Sequence, residues 1–150
     1  MTPGEKRLRR IFEADPEALR ELRALAGRFL RICAHRLRDR DLQEILLAVD
    51  EVVSNIVRHG DLPEGGSIEL RMRALEDGVE IVLIDEARNA PPRTLAIEPP
   101  GGCEESGRGL PIIRATFDLV EFRSLPGGGT HCRLFRSFSH RPWTRSGRNP

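Results

Sequence analysis

The first strong pattern in the chain is a run of apolar residues at helical spacing between residues 16 and 38. Its apolar positions are Leu19, Leu22, Ala26, Phe29, Cys33 and Leu37. Apolar residues three or four positions apart form one stripe along an α-helix. Asp15 before the run is suited to cap the first turn, and Pro16 fits there because the first turn needs no N–H from it. The pattern therefore predicts an amphipathic helix over residues 16–38.

A second helical pattern follows almost directly. Its apolar stripe consists of Leu42, Ile45, Leu46, Val49, Val53 and Ile56. Asp41, with Glu44 three residues later, resembles a capping box in which Asp41 is the N-cap. Gly60, directly after His59, is typical of a helix end. The pattern predicts a second helix from Asp41 to His59.

Beyond Gly60 the apolar period changes from helical to two. Residues 68–74 alternate apolar and polar, which predicts a half-buried strand. Asp77-Gly78 is a strong turn signal, and residues 79–84 then form a nearly continuous apolar run, as in a central strand. Near the N-terminus, residues 6–12 (KRLRRIF) are consistent with an edge strand.

The second half of the chain begins with a long segment rich in proline and glycine, residues 86–106. A loop of this length in a small domain is usually functional or mobile. A short helix is predicted over residues 110–117. A final hairpin pairs residues 119–123 with residues 130–138 across a Pro-Gly-Gly-Gly turn.

The order of elements is therefore helix, helix, hairpin, loop, helix, hairpin. Two hairpins with helices on one face predict an α+β fold, a two-layer α/β sandwich with a mostly antiparallel sheet, and not a parallel βαβ sheet. We expect one domain over residues 1–138 and a flexible C-terminal tail over residues 139–150, whose sequence is rich in arginine with proline and glycine.

Composition narrows the class of protein. With 39% hydrophobic and 31% charged residues, the 150-residue chain is typical of a soluble globular domain. It contains no apolar run long enough to cross a bilayer and no secretory signal pattern, so a cytoplasmic protein is expected. A net charge of +1 without a concentrated basic stripe argues against nucleic-acid binding. The three cysteines, Cys33, Cys103 and Cys132, are scattered and indicate neither disulfides nor a zinc site.

Glu51 and Asn55 on the second helix are the first candidates for chemistry. They lie one turn apart, on the side of the helix opposite the apolar stripe, in line with Glu44 and Ala48. A carboxylate and an amide oxygen at this spacing can converge on one hydrated cation. The spacing alone fits equally well with the solvated face of an amphipathic helix.

Two further candidates lie at element ends. Gly107-Arg108-Gly109 directly precedes a predicted helix, and helix N-termini with nearby glycines suit phosphate, although an ordinary glycine-rich helix entry has the same pattern. Asp85 ends the apolar strand, where its carboxylate can accept hydrogen bonds from a ligand or from its own loop.

The ordered combination of these residues resembles the GHKL ATPase/kinase superfamily, and within it the bacterial anti-sigma-factor serine kinases. LLAVDEVVSNIVRHG, which contains Glu51 and Asn55, is similar to the N-box helix of that family. GRGLPIIRATFDLVEF is similar to its second glycine box and the strand that follows. Asp85 and the Gly129-Thr130 pair occur at the corresponding places between and after these segments.

The resemblance implies the Bergerat fold, with ATP held on the helical side of the sheet beneath a lid formed by residues 89–106. It implies that Asn55 coordinates Mg²⁺ at the phosphates and that Glu51 is the general base. Asp85 would accept from the adenine amino group, supported by Thr130, and Ala87 would lie beside the base. The phosphates would meet the segment Gly107, Arg108, Gly109 and Leu110.

The implied function is an ATP-binding anti-sigma factor with serine/threonine protein kinase activity in partner switching. Its partners would be a sigma factor and an anti-sigma antagonist protein, with neither nucleic acid nor membrane as a direct partner, and a homodimer is common in the resembled family.

One position departs from the family pattern, because Ala87 stands where Asp-x-Gly-x-Gly has its first glycine. If that position needs a positive φ, alanine would cost about 1 kcal/mol or the loop would rearrange. Glu86 and Arg88 are expected to add charge beside the base. This departure motivates an alternative function, a non-catalytic pseudokinase module that keeps the fold without the nucleotide. A third alternative, the catalytic domain of a sensor histidine kinase, ranks last because no dimerisation helix pair with a phosphoaccepting histidine precedes the fold.

Overall fold

The computed structural model of the protein describes residues 4–88 and 109–141. Their elements are, in chain order, β1 (Lys6–Glu13), α1 (Pro16–Cys33), α2 (Asp39–His59), β2 (Ser67–Ala74), β3 (Gly78–Asp85), α3 (Gly109–Thr116), β4 (Leu119–Ser124) and β5 (Thr130–Ser137). The strands form one sheet in the order β1-β2-β3-β5-β4, and each neighbouring pair is antiparallel. The α+β class, the antiparallel sheet and the edge position of β1 are thus as predicted.

Alternation along the strands decides which sheet face the helices cover. On β2, Ile68, Leu70 and Met72 are each 0% exposed, whereas Arg71 between them is exposed. The cross-strand registers place on the same face a set of buried residues from the two neighbouring strands: Val79, Ile81 and Leu83 of β3, and Cys132 and Leu134 of β5. This face forms the floor of the core. The central position of β3 follows from its nearly uninterrupted burial.

Helices α1 and α2 cover that floor with their apolar stripes. The stripe of α1 includes Leu22 and Leu30, and that of α2 includes Ile45 and Val49, all at most 1% exposed. No helix in the described ranges is long and apolar enough to span a membrane.

The first helix is shorter than its sequence pattern indicates. It ends at Cys33, where the Ala34 N–H still bonds to Leu30 O. Leu37 continues the apolar pattern, yet it lies in a turn in which its N–H bonds to Ala34 O. Leu37 continues the apolar pattern because the turn that contains it also packs on the core. The spacing of apolar residues does not distinguish a buried turn from a helix.

The predicted role of Asp41 as the N-cap of the second helix is wrong. The helix begins at Asp39 with Arg38 as the cap residue, and Asp41 is the third helical residue, whose Oδ2 accepts from the Arg38 N–H at 3.0 Å. An acid at this position satisfies the backbone donor of the cap residue, which is the reciprocal half of a capping box.

Candidate functional site

Asp85 is the best-defined polar group on the helical side of the sheet. It is the last residue of β3, pairs in register with Thr130 of β5, and is 2% exposed, with Thr130 at 4%. Its Oδ1 accepts the Ala87 N–H at 2.7 Å. Its Oδ2 is buried and has no hydrogen-bond partner within residues 4–88 and 109–141. An unpaired buried carboxylate oxygen costs stability, so it points to a donor supplied by a ligand.

The electrostatics of Asp85 agree with this geometry. Burial raises the pKa of its carboxyl group above the ordinary value, and the backbone N–H groups of Ala87 and Thr130 counter that effect only in part. The same buried charge raises the pKa of the Cys132 thiol, for which desolvation is the larger cause. The strand end therefore holds an incompletely compensated acceptor.

Ala87 does not adopt the strained backbone expected of a residue that replaces glycine. Among the non-glycine residues of the described ranges, only Asp61 has a positive φ, of 49°. The Ala87 methyl group is buried against the end of α2, where a Cβ added to Gly60 would lie 2.7 Å from it. The close approach of the Ala87 methyl group to the end of α2 is possible because residue 60 has no Cβ.

Residues 85–88 are held from two sides. On the β5 side, the Gly129 N–H donates to Ala87 O at 3.1 Å. Gly129 has a φ of 95°, and a Cβ there would collide with the Asp85 carbonyl oxygen, so this position requires glycine. On the α2 side, the Arg88 N–H reaches Asp61 O at 3.4 Å. The end of β3 is thereby fixed between α2 and β5.

The charges flanking Asp85 are directed elsewhere. The Glu86 carboxylate accepts the Ser67 N–H at 2.8 Å, which turns its charge toward the start of β2. The exposed Arg88 side chain lies 4.0 Å from the Asp61 carboxylate. The Glu86 carboxylate is thus directed away from that of Asp85, because residues 85 and 86 point to opposite faces of the extended chain.

Glu51 and Asn55 are half-buried on α2, which packs against α3. Ala48, in line with them on the helix, is 0% exposed, and Glu44 one turn earlier bonds to the buried Arg136 of β5. The solvated-face interpretation therefore does not describe this side of α2. Asn55 precedes Gly60, which contacts Ala87, by five residues, or about 8 Å along the helix axis.

The glycine segment is described only in part. Gly109 and Leu110 are the first residues of α3, as the sequence predicted to within one position. Gly107, Arg108 and the lid predicted over residues 89–106 lie outside the described residues. The described part brings Asp85, Ala87 and Thr130 together at the end of β3, and Glu51 and Asn55 lie one turn apart in the second half of α2.

Two residues with a clear structural role in the fold were not predicted. The sequence predicts Gly60 only as the end of a helix, and its packing against Ala87 depends on the tertiary fold. Arg136 is 3% exposed and bonds to α2 and α3. The sequence does contain a signal for the role of Arg136. Every second residue of β5 faces inward, and a charge is unusual on such a face. These inward residues are Thr130, Cys132, Leu134 and Arg136.

The residues present fit an adenine nucleotide. Asp85 Oδ2 is a buried acceptor without a partner in the described ranges, which suits an exocyclic amino group. Glu51 and Asn55 supply the oxygen donors that Mg²⁺ takes, and α3 begins with a glycine, as phosphate-binding helices do.

Comparison with known proteins agrees with this fold. Residues 12–135 match the family model of the histidine kinase-like ATPase domain, and the chain belongs to this family. The GHKL resemblance predicted from the motifs is thereby confirmed.

Two individual proteins are also similar to this chain. An anti-sigma F factor from Caldanaerobacter subterraneus subsp. tengcongensis is 29% identical over 98 residues, which cover 63% of this chain and 68% of that protein. The solved structure of the RsbU and RsbW domains of Rv1364c from Mycobacterium tuberculosis has a TM-score of 0.63 and 22% identity, covering 88% of this chain. This chain spans 32% of that structure's chain, and the likeness shows the fold.

Proposed function

We propose that this protein binds Mg²⁺-ATP and acts as an anti-sigma factor with serine/threonine kinase activity toward an antagonist protein. The observation that carries the proposal is the buried Oδ2 of Asp85, which lacks a hydrogen-bond partner in the described ranges. The family match and the similarity to an anti-sigma F factor support the same reading.

The adenine side of the proposed site consists of Asp85, Ala87 and Thr130. Asp85 would accept from the amino group of the base through Oδ2, because Oδ1 is already bonded to Ala87. Thr130, buried beside it, would support this contact through its hydroxyl group. A carboxylate acceptor discriminates against a base that presents a carbonyl oxygen at the same place, since two acceptors would face each other.

The phosphate side would consist of Asn55, Glu51 and the segment Gly107, Arg108, Gly109 and Leu110. The Asn55 side-chain oxygen would hold Mg²⁺, which supplies charge neutralisation at the phosphates when it is bound. Glu51 would accept the proton of an incoming serine or threonine hydroxyl group. The backbone amides of the glycine segment would orient the phosphates at the start of α3.

The proposed partners are a sigma factor, which the protein sequesters, and the antagonist that carries the phosphorylated hydroxyl group. We propose a cytoplasmic location and a homodimer on the same basis of likeness to anti-sigma kinases. Competition between sigma factor and antagonist for one protein would then make transcription depend on phosphorylation.

A thermal-shift and calorimetry series tests the nucleotide site. Wild-type protein is expected to gain stability with Mg²⁺-ATP, by about 2.7 kcal/mol at one hundred times the dissociation constant. Asn55→Ala should lose the magnesium dependence. Asp85→Asn should lose most of the binding while melting at a higher temperature than the wild type, because a buried uncompensated charge is removed and the oxygen that accepts from Ala87 is kept.

Glu86→Gln is the matched control, since it removes the adjacent carboxylate charge, which is turned toward β2. It should bind Mg²⁺-ATP like the wild type. Absence of any shift in the wild type at millimolar ATP would reject the site and favour the pseudokinase module. Mg²⁺-ATP binding without transfer of labelled phosphate to a cognate antagonist would reject the kinase activity alone.

A further inference from the structure

Arg136 is a buried charge on the inward face of β5, away from the residues assigned to the nucleotide. One guanidinium nitrogen donates to the Asp41 carboxylate at 2.6 Å and to Glu44 at 3.1 Å, both on the first turns of α2. The other donates to the Thr116 carbonyl oxygen at 2.9 Å, at the last residue of α3. One side chain thus joins the start of α2 to the end of α3.

A second side chain from the end of the described chain reaches the same end of α3. His140, whose side chain is 3% exposed, places Nε2 at 2.8 Å from the Ala115 carbonyl oxygen and Nδ1 at 3.0 Å from Asp118 Oδ1. Asp118 is itself fixed, because it accepts the Ser137 N–H at 2.7 Å. The last two carbonyl groups of α3 are therefore both bonded by basic side chains from β5 and the residues after it.

These contacts matter because α3 is short. An eight-residue helix is not stable by itself in water, so its position depends on what holds it. Basic groups at a helix C-terminus satisfy free carbonyl groups and complement the helix dipole. Ile113 packs into the core at 1% exposure, and Arg136 and His140 then fix the end of the helix.

The direction of α3 follows from the same contacts. Its last residue lies beside Asp41 and Glu44 at the start of α2, and α3 packs along α2. Eight residues span about 12 Å, and the distance from Glu44 to Glu51 along α2 is about 11 Å. The start of α3, at Gly109, therefore lies toward Glu51 and Asn55.

We propose that Arg136 and His140 are positioning residues, which anchor the C-terminal end of α3 and thereby hold its N-terminal end at the phosphates of the nucleotide. This inference rests on the proposed nucleotide site. Neither side chain contacts the proposed ligand, so the predicted effect is on phosphate recognition and not on the base contact at Asp85.

The test compares Mg²⁺-ATP with adenosine, which has the base but no phosphate. Dissociation constants are measured by calorimetry or NMR titration for the wild type, Arg136→Gln, Arg136→Lys and His140→Gln, at a temperature where circular dichroism shows each to be folded. Arg136→Gln is expected to weaken Mg²⁺-ATP binding at least tenfold and adenosine binding less than twofold. Arg136→Lys should keep most of the Mg²⁺-ATP affinity that Arg136→Gln loses, and His140→Gln should weaken Mg²⁺-ATP binding about threefold.

Arg133→Gln is the matched control. Arg133 lies on the same strand but on the opposite face, where it donates to Glu80 at 2.7 Å. It should leave the ratio of the two affinities unchanged. A purely structural role of Arg136 and His140 would weaken both ligands equally or neither, and this result would overturn the inference.

The outcomes separate the two proposals. If the wild type binds neither ligand, the nucleotide site itself is rejected, and the positioning role with it. If the wild type binds both and the ratio is unchanged in every variant, only the positioning role is rejected. Should Arg136→Gln fail to fold, His140→Gln and Arg136→Lys decide the question by the same ratio.

Discussion

At the scale of single residues, Ala87 is the position at which this protein departs from the family pattern. It occupies the position of a family glycine without a positive φ, and it packs against Gly60 at the end of α2. Its N–H, not its side chain, bonds to Asp85. The substitution therefore changes the contact between β3 and α2 and leaves the acceptor of Asp85 in place.

Ala87→Gly tests this view. The variant removes a buried methyl group and adds backbone freedom in the unfolded chain, so we expect a loss of about 1 kcal/mol in the free energy of unfolding. The affinity for Mg²⁺-ATP should stay within twofold of the wild type. Urea unfolding and calorimetry measure the two quantities, and a gain in affinity of tenfold or more would show that the methyl group obstructs the base.

At the scale of elements, the first turn of α2 is organised by charge. Asp41 accepts from Arg38 and from Arg136, and these contacts join the helix start to the turn before it and to β5. Hydrogen bonding to Arg38 is the largest cause that lowers the pKa of Asp41, to about 2; burial opposes it, and the charge of Arg136 adds to it. The turn is therefore sensitive to acid.

This shift predicts a pH dependence of stability. A carboxyl group with a lowered folded-state pKa stabilises the fold above its ordinary value of 3.8 and loses that contribution as the pH falls toward 2. The lowering of the Asp41 pKa from 3.8 to about 2 corresponds to about 2 kcal/mol. Asp41→Asn should thus be less stable than the wild type by about this amount at pH 6 and equal to it near pH 2, in urea unfolding at several pH values. A difference that is constant with pH would contradict the assignment.

At the scale of the whole molecule, one core lies between the helices and the inner face of the sheet. Leu30 of α1 is 0% exposed within it and lies outside the set of residues assigned to the nucleotide. The proposed site lies at one edge of this core, where β3 ends, β5 begins and α2 ends. Truncation of a core residue distant from that edge should therefore lower the free energy of unfolding and leave the affinity for Mg²⁺-ATP unchanged.

Leu30→Ala is expected to lower the free energy of unfolding by about 2–5 kcal/mol, because it leaves a cavity in a closed core. Its affinity for Mg²⁺-ATP, measured below its melting temperature, should stay close to that of the wild type. Ile32→Ala, two residues further on the same helix, is the control, since Ile32 is 76% exposed and its loss should change stability by less than about 0.5 kcal/mol. Equal losses in both variants would contradict the described packing of α1.

Hydrophobic periodicity, together with the turn signals at Asp77-Gly78 and at residues 126–129, determined the elements, their order and the antiparallel sheet, because each strand and helix must bury one face. The helix ends are predicted less well from this pattern. Leu37 continues the apolar pattern beyond the end of α1, and Asp41 is predicted as the N-cap of α2, where the structure has Arg38 as the cap residue. These boundaries depend on local hydrogen bonds that a hydrophobic pattern does not contain.

The candidate site residues also came from the sequence, through the order of short motifs that lie far apart in the chain. Only the tertiary structure decided that Gly60 accommodates Ala87, that Glu86 turns to β2, and that Asp85 keeps one buried oxygen without a partner in the described ranges. It likewise decided that Arg136 and His140 meet at the end of α3. The physical reason is the same in each case: these contacts join residues of different elements, and their distances are set by how the elements pack and not by the spacing of residues along the chain.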